Sequence, residues 1–262
     1  MISVAAHECL LLIDNSRIHV VKNLDFSFKV STEVSRTLGT GYAQVTKNGP
    51  WQAAGSFDCV LNAADMFLSR FIANTPFDFS FGTQGESTAI KIQNCYVSAL
   101  RYSFSVGQIG KVSVSFVSYD NFDNYVVGSF TSPSFTALNS HIGTISAEFG
   151  ITDAIIKSFN LDLERNLIAV YPCFGIGLPT ISGGNVTVAA QCNIEAGNYS
   201  LRDFSDRKTL ENLNFSVTAN SDEVSPTTLL SFTCANMKKA GESFALSEND
   251  TANINVEYKG CK

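Results

Sequence analysis

Leu24-Asp25-Phe26-Ser27-Phe28 alternates apolar and polar side chains, and Phe159-Asn160-Leu161-Asp162-Leu163 repeats the pattern 135 positions later. A period of two places Leu24, Phe26 and Phe28 on one face of a strand and Asp25 and Ser27 on the other, so matched alternation predicts matched strands with matched faces. Outward from this pair, Gly39-Thr40-Gly41 returns as Gly175-Ile176-Gly177. Phe57, Cys59 and Leu61 return as Ala190, Cys192 and Ile194, at an offset of 133. Phe104 and Val106, then Val112, Val114 and Phe116, return as Phe244 and Leu246, then Ala252, Ile254 and Val256, at an offset of 140. Any two β-rich segments share alternation, and this drift requires several insertions. Cys95 and Cys234 sit 139 apart, one residue out of step with the hairpin that follows. A one-residue slip turns a side chain to the opposite face, so that match needs a bulge or is chance.

Composition agrees with an all-β chain. Of 262 residues, 20 are Phe and 8 are Tyr, against one Trp and three Met, a balance that suits the pleat of a strand. Hydrophobic residues make up 45%, enough for a packed core. Charged residues are only 16%, where about 25% is usual, and a surface poor in charge is often one that gets covered. The net charge is −6 and no basic run exceeds Lys238-Lys239, which excludes a surface built to grip phosphate. The start, Met1 to Val21, lacks the pattern of a signal peptide, and no apolar stretch approaches the ~20 residues of a membrane span. The seven cysteines are widely spaced with no CxxC pair, and read as small buried hydrophobes of a reducing compartment.

Strand signals in the first half fall at Cys9–Ile13, Arg17–Val30, Gly55–Asn62, Phe77–Phe81, Ala89–Cys95, Ala99–Val106 and Lys111–Tyr119. The last two are joined by Gly107-Gln108-Ile109-Gly110, the signature of a hairpin. Between Ala63 and Asn74 the apolar spacing changes to three to five, which predicts one short amphipathic helix with Asn62 as its cap. Asp120 to Asn139 reads as a linker, giving a first domain over 1–125, a linker over 126–140 and a second domain over 141–262. Second-half strands are expected near Thr144–Phe149, Ala154–Glu164, Val186–Glu195, Asn212–Ala219, Leu229–Cys234, Glu242–Ser247 and Thr251–Tyr258; the helix counterpart, Leu201 to Leu210, is weak. Ser31 to Ala54 and Asn166 to Asn185 read as long loops, too apolar to be disordered and suited to contact with a neighbour or with their own core.

The search for chemistry is negative. His7, His19 and His141 lack metal-ligand spacing, no GxSxG or GxxxxGK[ST] motif occurs, and the paired glycines lack the third glycine of a dinucleotide fingerprint. Asp203, Asp206 and Glu211 are the densest acidic group and read as solvated surface. No enzyme, cofactor or metal site is expected.

The order of elements resembles the tail-tube proteins of tailed bacteriophages. In each half a long alternating strand (LDFSFKV; FNLDLERN) is followed by a glycine-bearing segment (RTLGTGYAQVTKNGPW; CFGIGLP) and a second strand beginning GSFD or SGGNVTVAAQCNI. The resemblance covers about 70% of the chain and is one of pattern, without a signature residue set; the second half departs from it in lacking a clear helix. It implies an all-β fold with a minor helix, as two tandem β-sandwich or half-barrel domains of tail-tube type. It further implies a virion protein made in the host cytoplasm, whose copies close edge to edge into rings that stack into a DNA-conducting tube. The implied partners are its own copies (a trimer with pseudo-sixfold symmetry, or a hexamer), other tail or baseplate proteins, and DNA passing through the lumen, with no membrane.

On that resemblance the ring-stacking loops would carry Leu38, Gly39, Gly41, Tyr42, Trp51, Leu167, Tyr171, Phe174, Gly175 and Gly177. Ser103, Ser105, Ser113, Ser115, Asn253, Asn255 and Glu257 would face the channel, with Lys111 the one base among those positions and Ser243 beside them. Hydroxyls and amides with few charges would let a phosphate backbone slide without sticking. Two other classes stay open: another ring of the injection apparatus, such as a tube initiator or connector, and a receptor- or glycan-binding sandwich using Trp51, Tyr42, Tyr171 or Tyr199 as a platform.

Overall fold

Fourteen strands and one helix follow from this alternation in a computed structural model, which describes residues 9–17, 21–36, 43–61, 66–83, 88–120, 122–126, 139–145, 154–172, 178–196, 211–220, 227–246 and 252–261. In chain order they are β1 (Cys9–Ile13), β2 (Ser16–Arg17), β3 (Val21–Arg36), β4 (Ala43–Val60), α1 (Met66–Ala73), β5 (Phe77–Thr83), β6 (Thr88–Ser105), β7 (Lys111–Ser118) and β8 (Phe122–Val126). Then come β9 (Asn139–Ile145), β10 (Ala154–Val170), β11 (Thr180–Ala196), β12 (Glu211–Asn220), β13 (Thr227–Leu246) and β14 (Ala252–Cys261). The fold is all-β and antiparallel with a single minor helix among the described residues.

One sheet runs through both halves in the order β3-β4-β7-β6-β10-β11-β14-β13. The first four strands and the last four are arranged alike: a long hairpin, then β7 or β14, then the strand that precedes it in the chain. The halves meet where β6 pairs β10 over seven residues, from Ser105↔Ser158 to Ala99↔Glu164. The N-terminal halves of β6 and β13 leave this sheet and pair instead with β5 and β12, which in turn pair with β1 and β9.

The resemblance between halves extends to their irregularities. The β3–β4 ladder shifts register between Val21 and Asn23 and between Val30 and Thr32; the β10–β11 ladder shifts between Ile156 and Ser158 and between Arg165 and Leu167, each 135 positions later. The shift between Val97 and Ala99 in β6 returns between Lys239 and Gly241 in β13, 142 positions on. That between Phe77 and Phe79, opposite Cys95 and Ile92, returns between Glu211 and Leu213, opposite Met237 and Cys234. Three further shifts, at Ser35/Arg36, Phe215/Val217 and Val217/Thr218, have no counterpart among the described residues. Bulges disrupt a ladder at a cost and are specific features of a fold, so four coincidences fix how the halves correspond.

That correspondence corrects the expected pairings. Phe57 corresponds to Cys192 rather than Ala190, and Phe104 to Leu246 rather than Phe244. Cys95 corresponds to Met237, and both are buried; its match with Cys234 was chance. Ala89–Cys95 and Ala99–Val106, expected as two strands, are one strand bent at Ser98, and the same holds for Leu229–Cys234 and Glu242–Ser247. The expected linker is strand at both ends, as β8 and the start of β9; 127–138 lie outside the described residues.

The core lies between the main sheet and the β1-β5-β6 layer. Phe57 and Phe116 from the main sheet meet Phe79 from β5 at ring-centroid distances of 6.0 and 4.9 Å, giving the first half a β-sandwich character. α1 closes one side with Phe67 and Phe71 buried, as its spacing predicts, and ends where Asn74 turns to φ 52 and Thr75 N–H reaches Arg70 O at 3.1 Å. Asn62 and Leu201–Leu210 lie outside the described residues. The Gly107–Gly110 hairpin forms as expected, with Gly107 at φ 73. Leu161, Leu163 and Ala190 are fully buried, so the core continues across the β6–β10 junction without a seam.

Candidate functional site

Opposite its buried face the main sheet presents a polar one. β7 alternates buried Val112, Val114 and Phe116 with part-exposed Ser113 and Ser115, and β6 alternates buried Leu100, Tyr102 and Phe104 with Arg101, Ser103 and Ser105. Register carries this across the strands: Asn23, Asp58, Ser113, Arg101 and Asp162 stand in one row, and Lys111, Ser103, Asn160, Gln191 and Glu257 in the next. Ser103, Ser105, Ser113, Ser115 and Glu257 therefore share one face. Asn253 and Asn255 pair with Glu195 and Asn193 in the ladder, while their side chains lie outside the described residues.

The centre of this face is a shallow depression of about 470 Å³, lined by side chains from β3, β4, β6, β7, β10 and β11. Several charges in and around it are tied together. Asn23 Nδ2 donates to Asp58 Oδ2 at 2.7 Å, Arg101 lies 3.8 Å from Asp162 and 3.4 Å from Glu164, and Lys259 lies 3.0 Å from Glu257. Burial raises the Asp162 carboxyl above the usual carboxylate range; Arg101 pulls it down and Glu164 adds repulsion. Sequence reasoning missed Arg101, Asp58, Asn160, Asp162 and Gln191. The alternation that marked Ser103 also marks Arg101, but only the β6–β10 pairing brings Asp162 beside it.

The expected long loops Ser31–Ala54 and Asn166–Asn185 are strand over most of their length. β4 joins β7 only from Ala53 onward, and β10 joins β6 only up to Glu164. Beyond those points, among the described residues, β3 pairs only with β4, and β10 only with β11, as two-stranded arms that leave the same end of the sheet. The glycines, proline and polar residues of these stretches, Gly49-Pro50 and Ser182-Gly183-Gly184 among them, interrupt the alternation that marks a strand, which is why they read as loops. Gly49-Pro50 and Gly184-Asn185 fill corresponding bulges; proline is tolerated at a bulge, and a Cβ on Gly184 would lie 2.5 Å from Asn166 O.

The second arm is anchored at its root, where the Arg165 guanidinium lies 4.9 Å above the Phe71 ring and donates to Ile72 O at 3.3 Å. Further out, Ile168, Val170, Tyr171 and Leu178 are exposed, Leu167 is half-buried, and Trp51 is exposed on the first arm. Leu38, Gly39, Gly41, Tyr42, Phe174, Gly175 and Gly177 lie outside the described residues. Val106 and Ile109 are exposed in the β6–β7 turn, at the end of the sheet away from the arms.

Cys59, Cys95 and Cys192 are buried, and burial pushes the Cys192 and Cys95 thiols up, Cys192 to about 12. Such thiols are inert. Among the described residues no group of three or more His, Cys, Asp or Glu could hold a metal ion, and no helix is long and apolar enough to cross a membrane. Compared with protein-family models and with curated proteins, the chain matches none.

Proposed function

We propose that this chain is a structural subunit of a phage tail tube, two tandem tube-type units whose copies close into rings and stack around a DNA-conducting channel. The observation that carries the reading is the β6–β10 junction: two equivalent four-stranded arrays joined edge to edge in one sheet, with the outer strands β3 and β13 left at its borders. A head-to-tail contact between unlike edges makes rings when the rotation closes. It also covers borders that would otherwise promote aggregation.

Two features support the rest. The polar face has paired charges and abundant hydroxyls and amides, the character of a wall that does not trap a phosphate backbone. Apolar side chains sit at both ends of the sheet, Ile168, Val170, Tyr171 and Leu178 on an arm and Val106 and Ile109 on the opposite turn, as axial stacking requires. On this reading the protein works in the virion without a cofactor or catalysis, alongside other tail proteins. Negative-stain microscopy of the purified chain tests it: rings or tubes with a central channel are expected, and a monodisperse monomer at high concentration overturns it.

A further inference from the structure

We infer that β13 of one copy pairs with β3 of the next in the register of the internal β6–β10 junction, which narrows the ring reading above and rests on its head-to-tail part. The matched bulges equate β6 with β13 at an offset of 142 and β10 with β3 at an offset of 135. Internally, Phe104 stands opposite Phe159, Tyr102 opposite Leu161, Arg101 opposite Asp162 and Leu100 opposite Leu163. Carried to the outer strands, these pairs become Leu246 with Leu24, Phe244 with Phe26, Ser243 with Ser27 and Glu242 with Phe28. Among the described residues neither outer edge has a strand partner: β3 pairs only with β4, and residues 238–246 of β13 pair only with β14.

Burial supports the same conclusion independently. Phe159, Leu161 and Leu163 are 1%, 0% and 0% exposed, whereas their counterparts Leu24, Phe26 and Phe28 are only half-buried. What separates the two sets is a second neighbour: β10 has β6 alongside as well as β11, whereas among the described residues β3 has only β4. A strand with Leu246 and Phe244 opposite Leu24 and Phe26 supplies what is missing, like against like. A slip of one residue would instead set Phe26 against Ser243 or Ala245 and mix the two faces.

The test is thiol cross-linking of the full chain. Ser27→Cys with Ser243→Cys marks the inferred pair, Ser27→Cys with Ala245→Cys marks a shifted register, and Arg101→Cys with Asp162→Cys is the internal equivalent. Each is treated with a short bifunctional thiol reagent, with single variants controlling for native cysteines and peptide mapping locating the link. The internal pair should link within one chain. The 27/243 pair should link between chains, with a yield several times that of the shifted pair, into a ladder that ends at the ring's copy number. Rings that form without the 27–243 link overturn the register and leave the ring reading intact. A 27–243 link in particles that never stack supports the register and removes the tube. A protein that links internally but stays monomeric at every concentration overturns both.

Discussion

Arg101 and Asp162 stand opposite one another in the ladder that joins the two halves, with Nε 3.8 Å from the carboxylate and Nη2 reaching Glu164 at 3.4 Å. All three side chains are about half exposed or more, so water screens the attraction. Arg101→Ala should therefore cost no more than about 1 kcal/mol, read from the urea midpoint at constant slope. A larger loss would mean that this ion pair, and not the apolar row beneath it, holds the junction.

Asp162 adds a pH signature. Burial raises its folded pKa above the unfolded value, so the folded chain binds the proton more tightly. Its contribution to stability is present below the unfolded pKa near 3.8 and is lost as pH rises through the folded value. In Asp162→Asn that contribution should vanish, and unfolding midpoints measured upward from the unfolded pKa near 3.8 should differ from the parent in slope.

Leu161 and Phe26 occupy corresponding positions, as do Phe159 and Leu24, yet only the β10 residues are fully buried. Leu161→Ala should cost about 2–5 kcal/mol, the range for emptying a core leucine site. Leu24→Ala should cost clearly less in dilute protein and more at concentrations where copies associate. Chemical unfolding at two protein concentrations checks this.

The buried thiols set a reactivity pattern. Cys59, Cys95 and Cys192 should be labelled by a thiol reagent only as fast as the protein opens, which peptide-resolved labelling measures. For Cys192 the unfolded thiol ionises near 9 and the folded one near 12, so its contribution is full below pH 9 and declines as pH climbs toward 12. Rapid native-state labelling of Cys192 would contradict its burial.

The exposed arm should separate stability from assembly. Ile168→Ser, Val170→Ser and Tyr171→Ser remove apolar surface without opening a cavity, and each should stay within about 0.5 kcal/mol of the parent. Together they should shorten tubes to single rings in electron micrographs. Undiminished tube length would detach this arm from stacking.

How much of this was legible in the sequence depended on what two-residue alternation can and cannot encode. It identified the strands and paired Leu24 with Phe159 correctly, but placed Phe57 and Phe104 two positions away from their true counterparts. A slip of two preserves every face, so alternation cannot detect it; the bulges at Ser31 and Asn166 and at Ser98 and Ala240 can. The arms were invisible for a different reason, because Gly49-Pro50 and Ser182-Gly183-Gly184 break the alternation within them. On the polar face, Ser103 was found from its own strand, whereas the row from Asn23 to Asp162 exists only through long-range pairing across five strands.

Because β6 and β10 belong to one polypeptide, the junction between them survives any dilution, whereas nothing tethers β3 to β13 of another molecule. In the proposed ring, half of the lateral contacts would thus be set at synthesis. If copies close into rings as proposed, concentration governs only the remainder, and a single, tunable threshold would separate dispersed from assembled states.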